Sequence, residues 1–200
     1  MLSVKTRQKY LKELGYYTGK VDGIEGKLTK QAYKTIQKDY FTRKKDIDGI
    51  YGKNTDILLN NVYIFKDIKY FKLEKFKCQC EGKYCTGYPV IIDKDLINNI
   101  DDMRKHFNIP FVETSGFRCK VYNDLQKGSS KTSRHLTGKA LDFYTKKGSN
   151  IEHRKELINY WINHYKESRY GYSKGYYNLE GKTGKITANY MGNSVHVDVK

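Results

Sequence analysis

An eight-residue phrase occurs twice near the start of the chain. Asp22-Gly-Ile-Glu-Gly-Lys-Leu-Thr29 returns as Asp48-Gly-Ile-Tyr-Gly-Lys-Asn-Thr55, a D-G-I-x-G-K-x-T pattern. Glycine supplies turn conformations that other residues resist, and threonine is among the helix-capping residues. Each copy therefore reads as a Gly-rich turn whose final Thr caps a following helix. Behind the first copy, Ala32, Tyr33, Ile36 and Tyr40 recur at helical spacing, and behind the second DILLNNV forms a shorter apolar face. Ser3 is placed to cap an earlier helix bearing Val4, Leu11 and Leu14, with Gly15 suited to its end. The repeat thus constrains the first sixty residues to three short helices joined by two matching loops. Neither loop has the alternating oxygen ligands and closing Glu of an EF-hand.

This stretch resembles the peptidoglycan-binding domain found at one end of many bacterial and phage cell-wall hydrolases. The matching text is Leu11-x-x-Leu14-Gly15-Tyr16-Tyr17, then Val21-Asp22-Gly23-Ile24 and the second turn at Asp48-Gly49. The charge of the whole chain agrees with such a partner. Its 200 residues carry 38 Lys+Arg against 22 Asp+Glu, a net +16 with histidine neutral. Residues 1–60 hold 13 basic and 7 acidic side chains and residues 61–200 hold 25 and 15, so the excess is not a basic tail. Such a surface attracts a polyanion: nucleic acid, anionic lipid or an anionic wall polymer. No recognised nucleic-acid motif accompanies the charge, and no apolar run is long enough to insert in a membrane. Nineteen Tyr and eight Phe supply large buriable faces, which excludes a disordered chain.

Residues 63–76 mix aromatics with lysines and read as a short join into a second domain over 77–200. In that domain Asp93 is placed to cap a helix carrying Leu96, Ile97, Ile100, Met103 and Phe107. Ser149-x-x-Glu152 reads as a capping box opening another, with Leu157, Ile158, Trp161, Ile162 and Tyr165 as its stripe. Strand-like runs lie at 111–117, 139–145, 184–191 and 194–200. The fold class expected is α+β: a small all-α three-helix domain, residues 1–62, followed by an α+β domain with an antiparallel sheet.

Three stretches of the second domain carry chemistry: Thr114-Ser-Gly-Phe-Arg118-Cys119, Ser133-Arg-His135-Leu-Thr-Gly138-Lys-Ala140-Leu-Asp142, and Val195-His196-Val197-Asp198. In a strand, Asp142 shares a face with Ala140 and Tyr144, and His196 shares one with Asp198. Were these strands neighbours, His135, Asp142 and His196 would converge. Two imidazoles and a carboxylate leave zinc a fourth position open for water, which favours a catalytic over a structural ion.

The text S-x-H-x-x-G-x-A-x-D, here Ser133 to Asp142, resembles the signature of zinc D-alanyl-D-alanine peptidases and related phage endolysin peptidases. Ser-Gly-Phe-Arg upstream and the closing His-Val-Asp resemble other blocks of that family, together covering roughly residues 71–200. The resemblance implies zinc held by His135, Asp142 and His196, Arg118 steadying the substrate carbonyl oxygen, and Ser133 contacting bound peptide. The implied activity is hydrolysis of a peptide bond in the wall stem peptide or crosslink. Several relatives carry a basic carboxylate three residues before the last zinc histidine. Here that position is Asn193, so Asp198 is expected as the base, its other reading being a carboxylate that orients a ligand histidine. Glu113 and Glu180 are outside candidates.

Cys78-x-Cys80-x4-Cys85 with distant Cys119 fits two disulfides, a second zinc closed by four thiolates, or free thiols. The opening MLSVKTRQKYLKELG has charges where a signal peptide needs its apolar stretch. The chain is therefore expected to be made in the cytoplasm, with its thiols reduced, and to act on the wall after release. The expected partners are bacterial peptidoglycan and anionic wall polymers, with no nucleic acid and no membrane insertion, and the expected state is a monomer. The competing functions are a wall-binding protein with an inactive second domain, a carboxypeptidase that trims terminal D-alanine, and a hydrolase using Cys119 as nucleophile.

Overall fold

The computed structural model describes residues 1–146 and 150–200. Helices α1 (Val4–Glu13), α2 (Lys27–Tyr40) and α3 (Lys53–Phe65) open the chain. The Ser3 hydroxyl accepts the Thr6 amide at 3.2 Å, and Gly15, at φ +82°, follows the end of α1.

The threonines of the repeat do not cap. Gly26 and Gly52 occupy the N-cap positions, and Thr29 and Thr55 lie one turn into α2 and α3, buried. Each turns its hydroxyl back to the loop, on the carbonyl of Ile24 or Ile50. The loops are held from inside by two glutamines outside the repeated phrase. Gln37 donates to Asp48 Oδ1 (3.1 Å), Ile50 O (3.0 Å) and Thr55 Oγ1 (3.0 Å), and accepts from the Gly49 amide (2.8 Å). Gln8 repeats this on Asp22, Ile24, Thr29 and Gly23. The Asp, Gly, Ile and Thr of the repeat are thus the contact set of one buried amide, since a buried polar group must find partners.

The boundary expected at residue 62 falls inside α3, which runs on to Phe65. Phe71, Leu73 and Phe76 are buried in an apolar cluster that also takes in Leu11, Ile36 and Leu58. Phe76 meets Phe65 edge-on, 5.7 Å between ring centres, and buried Asn61 donates to the Val90 carbonyl at 2.5 Å. Residues 66–77 are therefore packed structure, not free linker.

Helix α4 (Lys94–Phe107) begins at Asp93, whose carboxylate accepts the Asp95 amide at 2.9 Å. Strand β1 (Phe111–Ser115), short helix α5 (Lys120–Asp124) and β2 (Ala140–Thr145) follow. Helix α6 (Ile151–His164) is capped by Asn150, whose side chain accepts the His153 amide at 2.8 Å; Ser149, expected in that role, lies outside the described residues. Strands β3 (Ser168–Ser173), β4 (Tyr176–Leu179), β5 (Lys182–Gly184) and β6 (Val195–Val199) complete the chain.

Among the described residues the sheet has the order β1-β2-β6-β3-β4-β5, antiparallel throughout. Residues 184–191, expected as one strand, instead leave β5 at Gly184 and form a helical turn at Asn189–Met191. Strand β3 lies outside the expected runs because Gly171 holds a core-facing position where a strand pattern calls for an apolar side chain. A Cβ there would stand 3.0 Å from Ile158 Cγ2, so glycine lets α6 press on the sheet. Leu141, Phe143, Val195 and Val197 join the core with Ile158 and Trp161 of α6. The opposite face of the central strands remains for the site.

Candidate metal centre

The strands expected to be neighbours are paired. Asp142 of β2 lies opposite His196 of β6, and Ala140 opposite Asp198. The row continues outward, with Ser115 of β1 opposite Asp142 and Tyr172 of β3 opposite His196. Four strands therefore present Ser115, Asp142, His196 and Tyr172 side by side on one face, since directly opposed residues of paired strands share a face. These residues border a cavity of about 510 Å³.

His135 reaches the row from a helical turn over Arg134–Thr137. Its Nδ1 donates to the Gly116 carbonyl at 2.7 Å, and since a carbonyl only accepts, Nε2 carries the lone pair. That atom stands 3.3 Å from Asp142 Oδ2 and 3.3 Å from His196 Nδ1. His196 Nδ1 lies 2.7 Å from Asp142 Oδ1. One donor atom from each of His135, Asp142 and His196 therefore falls within 4.8 Å of the others, and all three residues are buried. Two neutral-capable imidazoles and a carboxylate are a donor set suited to zinc.

The surrounding backbone fixes His135. The Arg118 amide donates to the His135 carbonyl at 3.0 Å, tying the segment after β1 to the helical turn. Gly138 ends that turn at φ +69°, against the backbone of Ile91 and Ile92, and its carbonyl accepts the Asp93 amide at 2.9 Å. Gly116 approaches Phe76 so closely that a Cβ would lie 2.9 Å from that residue's Cα and carbonyl oxygen. Both glycines of the sequence blocks thus stand where a side chain would displace the loop carrying a donor.

Charge is balanced within the row. Burial pushes the His196 imidazole down, but Asp142 and Asp198 outweigh it and carry its pKa up to about 9. Burial pushes His135 below its ordinary value against the pull of Asp142, so it is neutral near pH 7. Burial would raise Asp142, yet the charged His196 imidazole, 2.7 Å from its Oδ1, holds it well below the usual carboxylate range. Arg118 donates to Asp142 Oδ2 at 2.5 Å and to Ser115 Oγ at 2.7 Å, and it borders the cavity. Ser133 also lines the cavity.

Asp198, expected as the base or as a carboxylate that orients a ligand histidine, is buried. It pairs with Arg169 and lies 3.5 Å from His196 Nε2, the nitrogen turned away from Asp142. These contacts match a carboxylate that orients the imidazole. Asn193 does not line this cavity; it borders a separate depression with Ile151 and Lys174. Glu113 and Glu180 are not among the lining residues either, so the carboxylates there, among the described residues, are Asp142 and Asp198. Arg169, Tyr170, Tyr172 and Tyr190 line the cavity without having been singled out from sequence. A bulge in β3 between Ser168 and Tyr170 sets Arg169 beside Asp198, and a missed strand carries a missed bulge.

The remaining histidines serve packing. His106 and His164 stack on Tyr160, ring centres 4.3 and 4.6 Å apart, and His153 lies 3.0 Å from the Thr145 hydroxyl. No helix among the described residues is long and apolar enough to cross a membrane.

A family model for Peptidase M15 matches residues 69–174, more than half of the chain, and one for a peptidoglycan binding domain matches residues 2–56. No curated protein matches the chain. The first match ends before β6, the strand that carries His196 and Asp198.

Proposed function

The chain belongs to the peptidase M15 family and carries a peptidoglycan-binding domain, the pairing of a cell-wall peptidase; from that premise we propose that it uses zinc to hydrolyse a peptide bond in the stem peptide or crosslink of peptidoglycan. The observation that carries this reading is the convergence of His135 Nε2, His196 Nδ1 and the Asp142 carboxylate beside an open cavity. These three residues would hold the ion. Bound there, zinc would supply Lewis-acid polarisation of the scissile carbonyl and lower the pKa of water to about 7.

The chain's own groups do the rest. The Gly116 carbonyl keeps a proton on His135 Nδ1 and so keeps Nε2 available. Asp198, itself held by Arg169, keeps His196 turned with Nδ1 toward Asp142; it is a positioning residue. Arg118 uses Nε and one Nη on Ser115 and Asp142, and its remaining N–H groups are available to an oxyanion developing on the scissile carbonyl. Ser133, at the rim, is placed to meet the peptide chain of the substrate. Arg118, Lys127, Arg134 and Arg169 give the cavity a basic lining suited to the carboxylates of a stem peptide.

Trimming a free terminus leaves the mesh intact, so a lytic role of the endolysin or autolysin kind assigns the cut to the interior of the stem or crosslink. Digesting purified walls and weighing the released muropeptides tests this assignment. Severed stems or crosslinks are expected. Loss of a single terminal alanine would make it a carboxypeptidase, and retention on walls without any cleavage would make it a binding protein only.

A further inference from the structure

Beside the segment that carries Arg118, four sulfurs meet. Cys78, Cys80, Cys85 and Cys119 are all free thiols, and their Sγ atoms lie within 4.8 Å of one another. The Cys80 and Cys85 sulfurs are 3.4 Å apart. A tetrahedral zinc with bonds of about 2.3 Å sets its sulfurs roughly 3.8 Å apart. A disulfide needs about 2.05 Å between two sulfurs and leaves no reason for two further ones to join them.

The chain is shaped to bring them together. Glu81 and Gly82 stand in succession at φ +51° and +82°, and the Lys83 amide donates to the Cys80 carbonyl at 2.8 Å, so the loop doubles back and returns Cys85 to Cys80. The Cys119 amide points at Cys78 Sγ at 3.3 Å. Amide donors on sulfur suit thiolates, which accept hydrogen bonds, and they orient metal-binding cysteines. Four adjacent thiolates need a compensating cation.

We propose that Cys78, Cys80, Cys85 and Cys119 bind a second zinc, closed by four thiolates, which clamps residues 76–87 to the segment 116–119. Binding replaces four thiol protons with one divalent ion, and those protons leave to solvent. The clamp lies in line with a backbone contact already present, the Phe117 amide on the Phe76 carbonyl at 2.9 Å. Between that contact and Cys119 sits Arg118, and on its other side is the Gly116 carbonyl that fixes His135. The thiolate zinc is therefore a positioning device for two parts of the peptidase site. The ion site stands on its own geometry; only this consequence rests on the function proposed above.

The test uses the full chain purified under reducing conditions, with metal counted by mass spectrometry. Two zinc ions per chain are expected, one in His135→Ala and one in Cys80→Ser. Cobalt(II) exchanged into His135→Ala should give the intense near-ultraviolet thiolate-to-metal absorption of a four-sulfur site, and Cys80→Ser should lose it. Should the cysteine variant fail to fold, the cobalt spectrum of the native chain and the resistance of its thiols to alkylation decide the matter. Absence of the thiolate band, four promptly alkylated thiols in the native fold, or a mass showing two disulfides would overturn the site. A chain that keeps the thiolate band yet binds no metal through His135 would overturn the peptidase reading and leave this site standing.

Discussion

Gly138→Ala should be among the most damaging single-methyl changes in the chain. The glycine sits at φ +69° and ψ +17°, where an added Cβ costs roughly 1 kcal/mol through local crowding alone. Here the Cβ would also meet Ile91 O at 2.2 Å, Ile91 C at 2.5 Å and Ile92 Cα at 2.7 Å. Those are backbone atoms, so no rotamer change relieves the overlap. The connection must shift by on the order of 1 Å, straining the Gly138–Asp93 hydrogen bond that starts α4. Overpacking of this kind costs about 1–3 kcal/mol, so the total expected is about 2–4 kcal/mol. For a chain of this size that lowers the melting temperature by roughly 4–16 °C. Gly181 provides the control, since it has φ +89° but nothing within 4 Å of its Cβ position. Gly181→Ala should show the conformational cost of about 1 kcal/mol alone. Urea unfolding of both variants, followed by far-ultraviolet circular dichroism, measures the difference. Equal destabilisation would refute the reasoning, because it would mean that the Ile91 carbonyl yields freely.

Other consequences follow from the same contacts. Gln37→Ala, which strips a buried loop of its four-bond anchor, should destabilise by about 2–4 kcal/mol in denaturant unfolding. Gln37→Glu should do at least as much harm at pH 7, where it sets a carboxylate against Asp48, and should recover toward pH 4. Asp198→Asn should weaken zinc binding roughly 10–100-fold and recover activity when zinc is added; failure of excess zinc to restore hydrolysis would return Asp198 to the role of base. In the metal-free protein, His196 has its pKa raised from 6.5 to about 9, so its ion pair stabilises fully below pH 6.5 and is lost as pH rises through 9. That loss is worth about 3 kcal/mol. Thermal melts of chelator-treated protein between pH 6 and 9.5 should fall accordingly, and in His196→Asn they should not.

The parts of the fold and site written in contiguous phrases were legible in the sequence. Asp93 and Ser3 cap the helices they precede because an N-cap is a local contact, complete within three residues. His135 and Asp142 lie seven residues apart in one phrase, and their partner His196 was placed by the face it shares within a strand. What escaped depends on contacts across the chain. The repeated turns looked like caps because their true partners, Gln8 and Gln37, lie on the preceding helices. Strand β3 was hidden by Gly171, whose reason is Ile158 on α6, and with it went Arg169 and Tyr172. Arg169, on another strand, occupies the carboxylate of Asp198, a contact that no neighbour in sequence announces.

Release of new amino groups from purified cell walls, measured before and after zinc is stripped and restored, tests the central claim most directly. The native chain should lose hydrolysis on chelation and regain it with zinc, while His135→Ala should stay inactive at every zinc concentration. Undiminished amine release from the stripped protein or from His135→Ala would contradict the assignment of His135, Asp142 and His196 as the metal site of a peptidase.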